Sequence, residues 1–385
     1  MIRTILMTAV LMSLLVVSVQ PAAALDDEHW AKADEAIEKG IAYLRTTQNK
    51  DGSWSPRPGP AITAMVVANM LDRPDIGPDD PAVAKAIDYI LSKVKDDGGI
   101  HDGFLENYNT AICLTALARV NHRPDVAEAI GKAQQYLRRL QWDGQQDPEG
   151  KVVDESHPFY GGAGYGNHGR PDMSNTQLML EGLHDSGLDC NDPAFQRAVV
   201  FISRCQGVEG NEMFGDRIVQ DGGFIYATSI DKDNIGVPET KVVDESEPEA
   251  GAVSRLRTYG SMTYAGFKSY IYANLDRDDP RVVAAYNWIR AHYTLDQNPG
   301  MPEAQKLQGL YYYYMTFARA MNAWGTTTIT TADGETHDWA NDVIAALVAR
   351  QDEDGSWINE EDRWYESDRN LVTAYALTAL IHAVR

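Results

Sequence analysis

The sequence predicts an all-α protein, an α6/α6 toroid with six outer helices ringed around six inner ones. Three observations carry that expectation. One short pattern recurs six times in register, and a second, nearly all-apolar helix follows each copy. The first and last copies also share an Asp-Gly-Ser-Trp turn, with no polar capping repeat at either end. That favours a closed ring over an open superhelical solenoid.

The pattern is set by Lys39-Gly40, Tyr43-Leu44 and Gln48: basic, small, two variable, aromatic, aliphatic, three variable, Gln. Lys132-Ala133, Tyr136-Leu137 and Gln141 repeat it, as do Arg197-Ala198, Phe201-Ile202 and Gln206. In the second copy Lys85-Ala86 and Tyr89-Ile90 keep it, but Val94 replaces the Gln. The fifth (Ala284-Ala285, Trp288-Ile289, Tyr293) and sixth (Asp342-Val343, Ala346-Leu347, Gln351) are looser. Turns follow at Asp51-Gly52, Asp97-Gly98, Asp221-Gly222 and Asp354-Gly355. The second helices open around Thr63, Thr110, Thr176, Thr263, Thr316 and Thr373.

From Gln48 to Thr63 is 15 residues and from Val94 to Thr110 is 16, but the same interval is 35 in the third copy and 57 in the fourth. The toroid is therefore expected over 25–385, with insertions at 142–172 and 207–260 on one rim. The insertions resemble each other, Lys151-Val152-Val153-Asp154-Glu155-Ser156 recurring from Lys241 to Ser246. Long loops gathered at one rim point to function.

Residues 1–24 read as an export signal. Arg3 precedes an apolar run from Ile5 to Val19, and Pro21 leads into Ala22-Ala23-Ala24, a small-residue cleavage site. A periplasmic or extracellular protein is expected, with no stable membrane span after cleavage. The whole chain has a formal charge of −22; the leader holds one Arg and no acid, so cleavage would make it −23. A surface that acidic repels phosphate backbones, and nucleic acid is not expected as a partner. Hydrophobic residues at 44% and charged residues at 23% exclude disorder and a multi-pass membrane protein. Cys113, Cys190 and Cys205 do not make a disulfide framework, because a helix opened by Asp192-Pro193 separates the last two by about 18 Å.

Asp80-Pro81, Asp192-Pro193 and Asp279-Pro280 each read as an N-cap and first helical residue. This accounts for Asp276-Arg277-Asp278-Asp279 without catalysis. Asp231 to Gly236 outlines a calcium loop, but Ile235 occupies a ligand position.

Lys-Gly-x2-Tyr-Leu-x3-Gln-x3-Gly-x-Trp at 39–54 resembles the QW motif of squalene and hopene cyclases. The chain from residue 25 onward is similar to the superfamily of terpenoid cyclases and protein prenyltransferases (prenyltransferase and squalene oxidase repeats). The resemblance implies the α/α toroid and an apolar central cavity. Its protonating members carry Asp-x-Asp-Asp-Thr-Ala at the start of an inner helix. Asp172-Met173-Ser174-Asn175-Thr176-Gln177 stands at that locus, with Ser174 and Asn175 in place of two acids. Ser cannot protonate an alkene, so squalene cyclisation by protonation is not expected. The prenyltransferases' zinc set, an Asp-x-Cys pair with a distant His, has no counterpart, and no metal or cofactor is expected.

Candidates converge on the inner-helix N-termini. Asp172, Ser174 and His168 are the weak catalytic candidates; Tyr165, Arg170, Asn175, Tyr108, Asn109, Tyr264, Tyr312 and Asn370 are the expected ligand-binding residues. Gly161 to Arg170 reads either as a flexible lip presenting Tyr165, His168 and Arg170 or as a plain Gly-rich turn. Tyr311 to Tyr314 covers every helix face, so one ring is expected toward the cavity, where aromatic faces stabilise cations. Helix N-termini suit an anionic or strongly polar head and the aromatic cavity an apolar body, so the expected ligand is apolar or amphipathic. The alternative is a non-catalytic envelope toroid for a glycan or protein partner at the insertion rim. A glycan lyase or hydrolase would have to use Asp154, Glu155, Asp244 and Glu245.

Overall fold

The computed structural model describes residues 25–228, 241–242 and 255–385. The expected leader at 1–24, the calcium-like turn at 231–236 and Asp244 and Glu245 lie outside the described residues. Twelve α-helices occur among those described. The outer ones are α1 (Asp27–Thr47), α3 (Pro81–Leu91), α5 (Pro124–Leu140), α7 (Pro193–Arg204), α9 (Pro280–Ala291) and α11 (Trp339–Val348). The inner ones are α2 (Ala61–Leu71), α4 (Glu106–Leu117), α6 (Met173–Asp185), α8 (Gly260–Tyr272), α10 (Leu310–Trp324) and α12 (Arg369–Ala383). Each inner helix packs on the next and α12 returns to α2, while α1 meets α11. The ring is closed. Two short antiparallel pairs lie in the loops, Lys241–Val242 with Arg255–Leu256 and Thr328–Thr330 with Thr336–Asp338.

The outer helices start where expected. Asp80, Asp192 and Asp279 accept backbone N–H groups of Ala82, Ala194 and Arg281 at 2.9 Å each, with Pro at the first helical position. The cap carboxylates are also gripped by guanidinium groups. Arg45 and Arg138 reach from the preceding outer helix to Asp80 (2.7 Å) and Asp192 (2.9 Å), and Arg281 to Asp279. The inner helices bury almost every side (Ala61 to Met70, Leu371 to Ala383), as their apolar composition requires.

The recurring residues make one recurring joint. Gln48 Nε2 donates to the carbonyl of Gly52 in its own turn (3.1 Å) and of Ala82 in the next outer helix (2.8 Å). Gln141 bridges Gly161 and Ala194, and Gln206 bridges Gly222 and Arg281. Gln351 bridges Gly355 and Ala36, which ties the sixth copy to the first. The inner-helix Thr completes the joint by accepting a turn N–H. Thr63 accepts from Trp54, Thr110 from Ile100, Thr176 from Ala163, Thr263 from Phe224 and Thr373 from Trp357, at 2.9–3.2 Å. Trp54 and Trp357 then bond back to the ends of their own outer helices, through Leu44 and Leu347. The turn glycines are required twice over. Gly52 sits at φ +90° and a Cβ on it would lie 2.4 Å from the Lys85 carbonyl; Gly355 (φ +88°) meets Lys39 in the same way at the ring closure.

Copy five departs. Tyr293 replaces the Gln, and its hydroxyl reaches Asp342 of the next outer helix at 2.8 Å. Thr316 bonds back to its own helix at Tyr312 and Tyr313 instead of a turn. The three cysteines are free, with Cys205 at the far end of α7.

Gln206 is fully buried and also accepts the Tyr270 hydroxyl at 3.0 Å. Gln206→Leu leaves two carbonyls and a phenol short of partners, so urea unfolding should show a loss of about 2–4 kcal/mol. Gln48, partly exposed, should lose no more than about 1–2 kcal/mol on the same change.

Candidate functional site

At the end of the ring where the inner helices begin, a cavity of about 330 Å³ opens, within the range of small-molecule sites. Ile62, Tyr108, Ser174, Met262, Tyr312 and Tyr375 line it from the inner helices. Phe104, Tyr165, Tyr226, Tyr259, Trp364, Tyr365 and Glu366 line it from the rim loops. Its mouth is aromatic and wet: Phe104, Tyr165, Trp364 and Tyr365 are 40–64% exposed. The rim backbone is strained. Leu105, Asn167, His168, Trp364 and Tyr365 all sit at φ between +50° and +66°, a region costly for bulky side chains.

Three expected residues line this chamber with side chains on the expected elements: Tyr108, Tyr165 and Tyr312. Of the four consecutive tyrosines, Tyr312 faces it. Tyr313 and Tyr314 are buried, with their hydroxyls donating to the carbonyls of Thr294 and Leu295. Ser174, at the position of the missing acid, also lines the chamber, its Oγ 3.0 Å from the Tyr312 hydroxyl. Gln177 donates to the same hydroxyl at 3.1 Å.

Asp172 stands one step behind. It is the N-cap of α6, accepting the Asn175 N–H and side-chain amide at 2.8 Å each. Burial pushes its carboxyl up to about 6, opposed by Asn175, Arg170 and the Tyr226 hydroxyl. Arg170 lies over the Tyr226 ring, 5.9 Å from its centroid.

Other candidates are placed elsewhere. Asn109 is turned into backbone, accepting the Ala61 N–H and donating to the carbonyls of Pro58, Phe104 and Leu105. Tyr264 is buried against Tyr313 and Phe317. Asn370 bonds Thr47 and Ser55, and His168 bonds the Arg139 carbonyl edge-on to Trp142. Asp154 caps a surface turn through Ser156. The Gly161–Arg170 segment is an ordered turn knitted by Gly161 to Trp142, Asp172 to Ala163 and Gly169 to Gly166.

The expectation of open helix N-termini is also corrected. Asn109 caps α2 and Asn298 caps α8, while α6 and α12 use their own Asp172 and Asp368. At α10, which begins after Gly309 and has no side-chain cap of its own, Glu366 accepts the N–H groups of Tyr312 (2.8 Å) and Tyr311 (3.4 Å). Asn359 donates to the same carboxylate at 2.6 Å. Burial pushes Glu366 up to about 7 despite these donors. Nothing in the spacing around Glu366 marks it in the sequence.

Tyr108, Tyr312 and Tyr375 close the chamber below and line a second cavity of about 30 Å³ on the far side, room for about one or two waters. The Tyr312 and Tyr375 rings meet edge-on at 5.9 Å, and the Tyr108 and Tyr375 phenols are neighbours. The lower space sets apolar Met65, Ile112, Leu178 and Met315 beside charged side chains. Fully buried Lys268 and nearly buried Arg319 both bind Glu181, and Arg319 reaches Asp185 at 3.4 Å. Burial pulls Lys268 down, opposed by Glu181. His382 is pushed far down by burial and by the surrounding cations.

Two measurements check these assignments. Glu366 and Asp172 sit above their ordinary values, so the folded state binds more protons than the unfolded one. Their stability contribution is present below about pH 4 and is lost as pH rises through 6 to 7. Relative to wild type, Glu366→Gln should therefore gain on the order of 2–3 kcal/mol of unfolding free energy between pH 5 and pH 8. Separately, Lys268→Met leaves Glu181 with less compensation and should cost about 3–5 kcal/mol in denaturant titration.

No family model matches the sequence. A stretch of 71 residues is 37% identical to the squalene–hopene cyclase of Bradyrhizobium diazoefficiens, a match spanning 18% of this chain and 11% of that enzyme. The fold is similar to that of the type II terpene cyclase MstE from Scytonema. One variant in complex with merosterolic acid A, its product, aligns with a TM-score of 0.54 and 13% identity, covering 93% of this chain and 98% of that one. A variant in complex with geranylgeranyl dihydroxybenzoate, its substrate, gives 0.53 with the same identity and coverage. A protein from Actinoplanes is 16% identical at a TM-score of 0.50, over 92% of this chain and all of that one. What the chain shares with these proteins is architecture: it is a terpene cyclase-like α/α toroid.

Proposed function

We propose that the protein binds an isoprenoid-like or amphipathic molecule in the aromatic chamber, its apolar body inside and an uncharged polar head at the mouth. The carrying observation is the lining: eight Tyr and Trp rings and one Phe ring, with Ser174, Ser261 and Glu366 the polar side chains besides the Tyr hydroxyls. Among the described residues, no Lys, Arg or His side chain lines it. Arg170 and Arg363 lie over the rings of Tyr226 and Trp364. With inner-helix N-termini capped by Asn and acidic side chains, and two carboxyls in or behind the wall, the described lining disfavours a diphosphate.

The substrate complexes of MstE support an isoprenoid body as the occupant. Ser174 at the acid's position argues against alkene protonation, since a hydroxyl holds its proton far too tightly. A Glu pushed up to about 7 is a weaker acid than an ordinary carboxyl and does not replace it. The reading is therefore a binding toroid first, and any reaction would use Tyr hydroxyls or Glu366 on the polar head. Export, read from residues 1–24, places the protein outside the cytoplasm in this proposal and favours a binding role there.

Titration with geranylgeraniol and with geranylgeranyl diphosphate, followed by calorimetry, tests it. The alcohol should bind and the diphosphate should bind at least about tenfold more weakly, the scale of one unfavourable charge contact. Tighter binding of the diphosphate would overturn the uncharged head, and binding of neither would overturn the isoprenoid body.

A further inference from the structure

The two cavities share one axis and three residues. Tyr108, Tyr312 and Tyr375 line both, so these rings are a partition between an aromatic chamber of about 330 Å³ above and a pocket of about 30 Å³ below, lined by apolar and charged side chains together. The partition is braced from three inner helices, α4, α10 and α12. Tyr312 is held on its upper side by Ser174 and Gln177. Tyr375 is held by the rings of Tyr312 and Tyr108. Beneath it, an apolar chain would find a space of only about 30 Å³, where Glu181, Arg319, Asp72 and Arg119 stand among apolar side chains such as Ile112, Leu178 and Met315. Each of those charges is already paired: Arg319 with Glu181, Arg119 with Asp72 at 2.8 Å. An apolar tail pushed among them would gain no partner and would separate ion pairs whose removal from one another in a buried site is costly.

We propose that Tyr108, Tyr312 and Tyr375 determine which isoprenoid chain lengths the protein accepts, by stopping the apolar tail at the partition. The inference rests on the isoprenoid reading above. It assigns specificity to residues on the inner helices, away from the loop-bearing rim. The ring of Tyr375 spans about the length of one isoprene unit, so its removal should admit about one unit more.

The test is a binding series of neutral isoprenoid alcohols of one to six isoprene units, measured by calorimetry on the full chain. Wild type should gain affinity with each added unit until the tail reaches the partition, then lose it. Tyr375→Ala and Tyr108→Ala should move the optimum to a longer alcohol, with about a tenfold gain for that ligand, the scale of burying one or two further methylenes. Tyr375→Phe keeps the ring and should leave the optimum unchanged. An optimum that stays put in folded Tyr375→Ala and Tyr108→Ala overturns the proposal. If neither alanine variant folds, Ser174→Leu fills the chamber just above Tyr312 and should shorten the optimum; no shortening overturns the proposal as well. Wild type that binds no member of the series removes the isoprenoid reading itself, an outcome distinct from a wild type that binds but ignores the partition.

Discussion

Each bridging Gln amide joins two segments, its own turn and the next outer helix. In Gln141 and Gln206 the amide is fully buried and both protons are used, one on each segment. The inner-helix Thr then takes the turn N–H, so one short turn is fixed to three helices at once. Because these bonds lie away from water, breaking any of them strands a buried carbonyl or N–H, a cost of about 1–3 kcal/mol each. Geometry propagates from that joint: a fixed angle between successive hairpins, repeated, brings Gln351 to Ala36 and closes the ring.

Closure has an electrostatic consequence at the chamber. All six inner helices start at the same end, so their positive dipole ends converge. An open convergence of that kind would attract anions. The protein fills it with its own acceptors instead: Asn109, Asp172, Asn298, Glu366 and Asp368, together with the Tyr165 carbonyl on α4. The same acceptors hold the rim loops down. Glu366 ties the loop bearing Trp364 and Tyr365 to α10, and Asn298 ties its loop to α8. Helix capping and the shape of the mouth are therefore one arrangement, and an aromatic interior with Glu366 in its wall is its product.

The repeat was legible because its chemistry is local: Gln, Gly, Trp and Thr recur at set intervals, and each is needed by the same joint. The Asp-Pro starts were legible for a similar reason, as N-cap and fixed φ are properties of adjacent residues. Tyr312 and Tyr165 could be placed at the rim from register alone. Glu366 could not. Its role is to accept the N–H groups of Tyr311 and Tyr312, 55 and 54 residues earlier in the chain, and the need for it arises from Gly309 having no side chain to offer. Asn109 was misjudged for the converse reason, since its position at an inner-helix start is shared with residues facing the chamber, while its amide satisfies four backbone groups. The Glu181–Lys268–Arg319 cluster did leave a trace. Glu181 and Lys268 each follow their inner-helix Thr by five residues, isolated charges of opposite sign in apolar helices, and burial of such a helix requires them to meet.

The largest departure from the repeat falls where the chamber is built. Copy five lacks the Gln and its Thr316 holds no turn, and its inner helix is the one that supplies Tyr312 and depends on Glu366 for its cap. Released from the joint, the connection before α10 is free to fold as a loop whose Leu307 carbonyl is held by Asn359 of the strained rim segment. Trp364 and Tyr365 keep left-handed backbone there because Glu366, the next residue, is anchored on both sides by α10 and Asn359. Each strained residue costs on the order of 1–3 kcal/mol, and a buried carboxylate held by several N–H donors is strong enough to impose it. The copies that keep the joint make the ring, and the fifth, which lacks both its Gln and its Thr contact to a turn, together with the rim it anchors, makes the site.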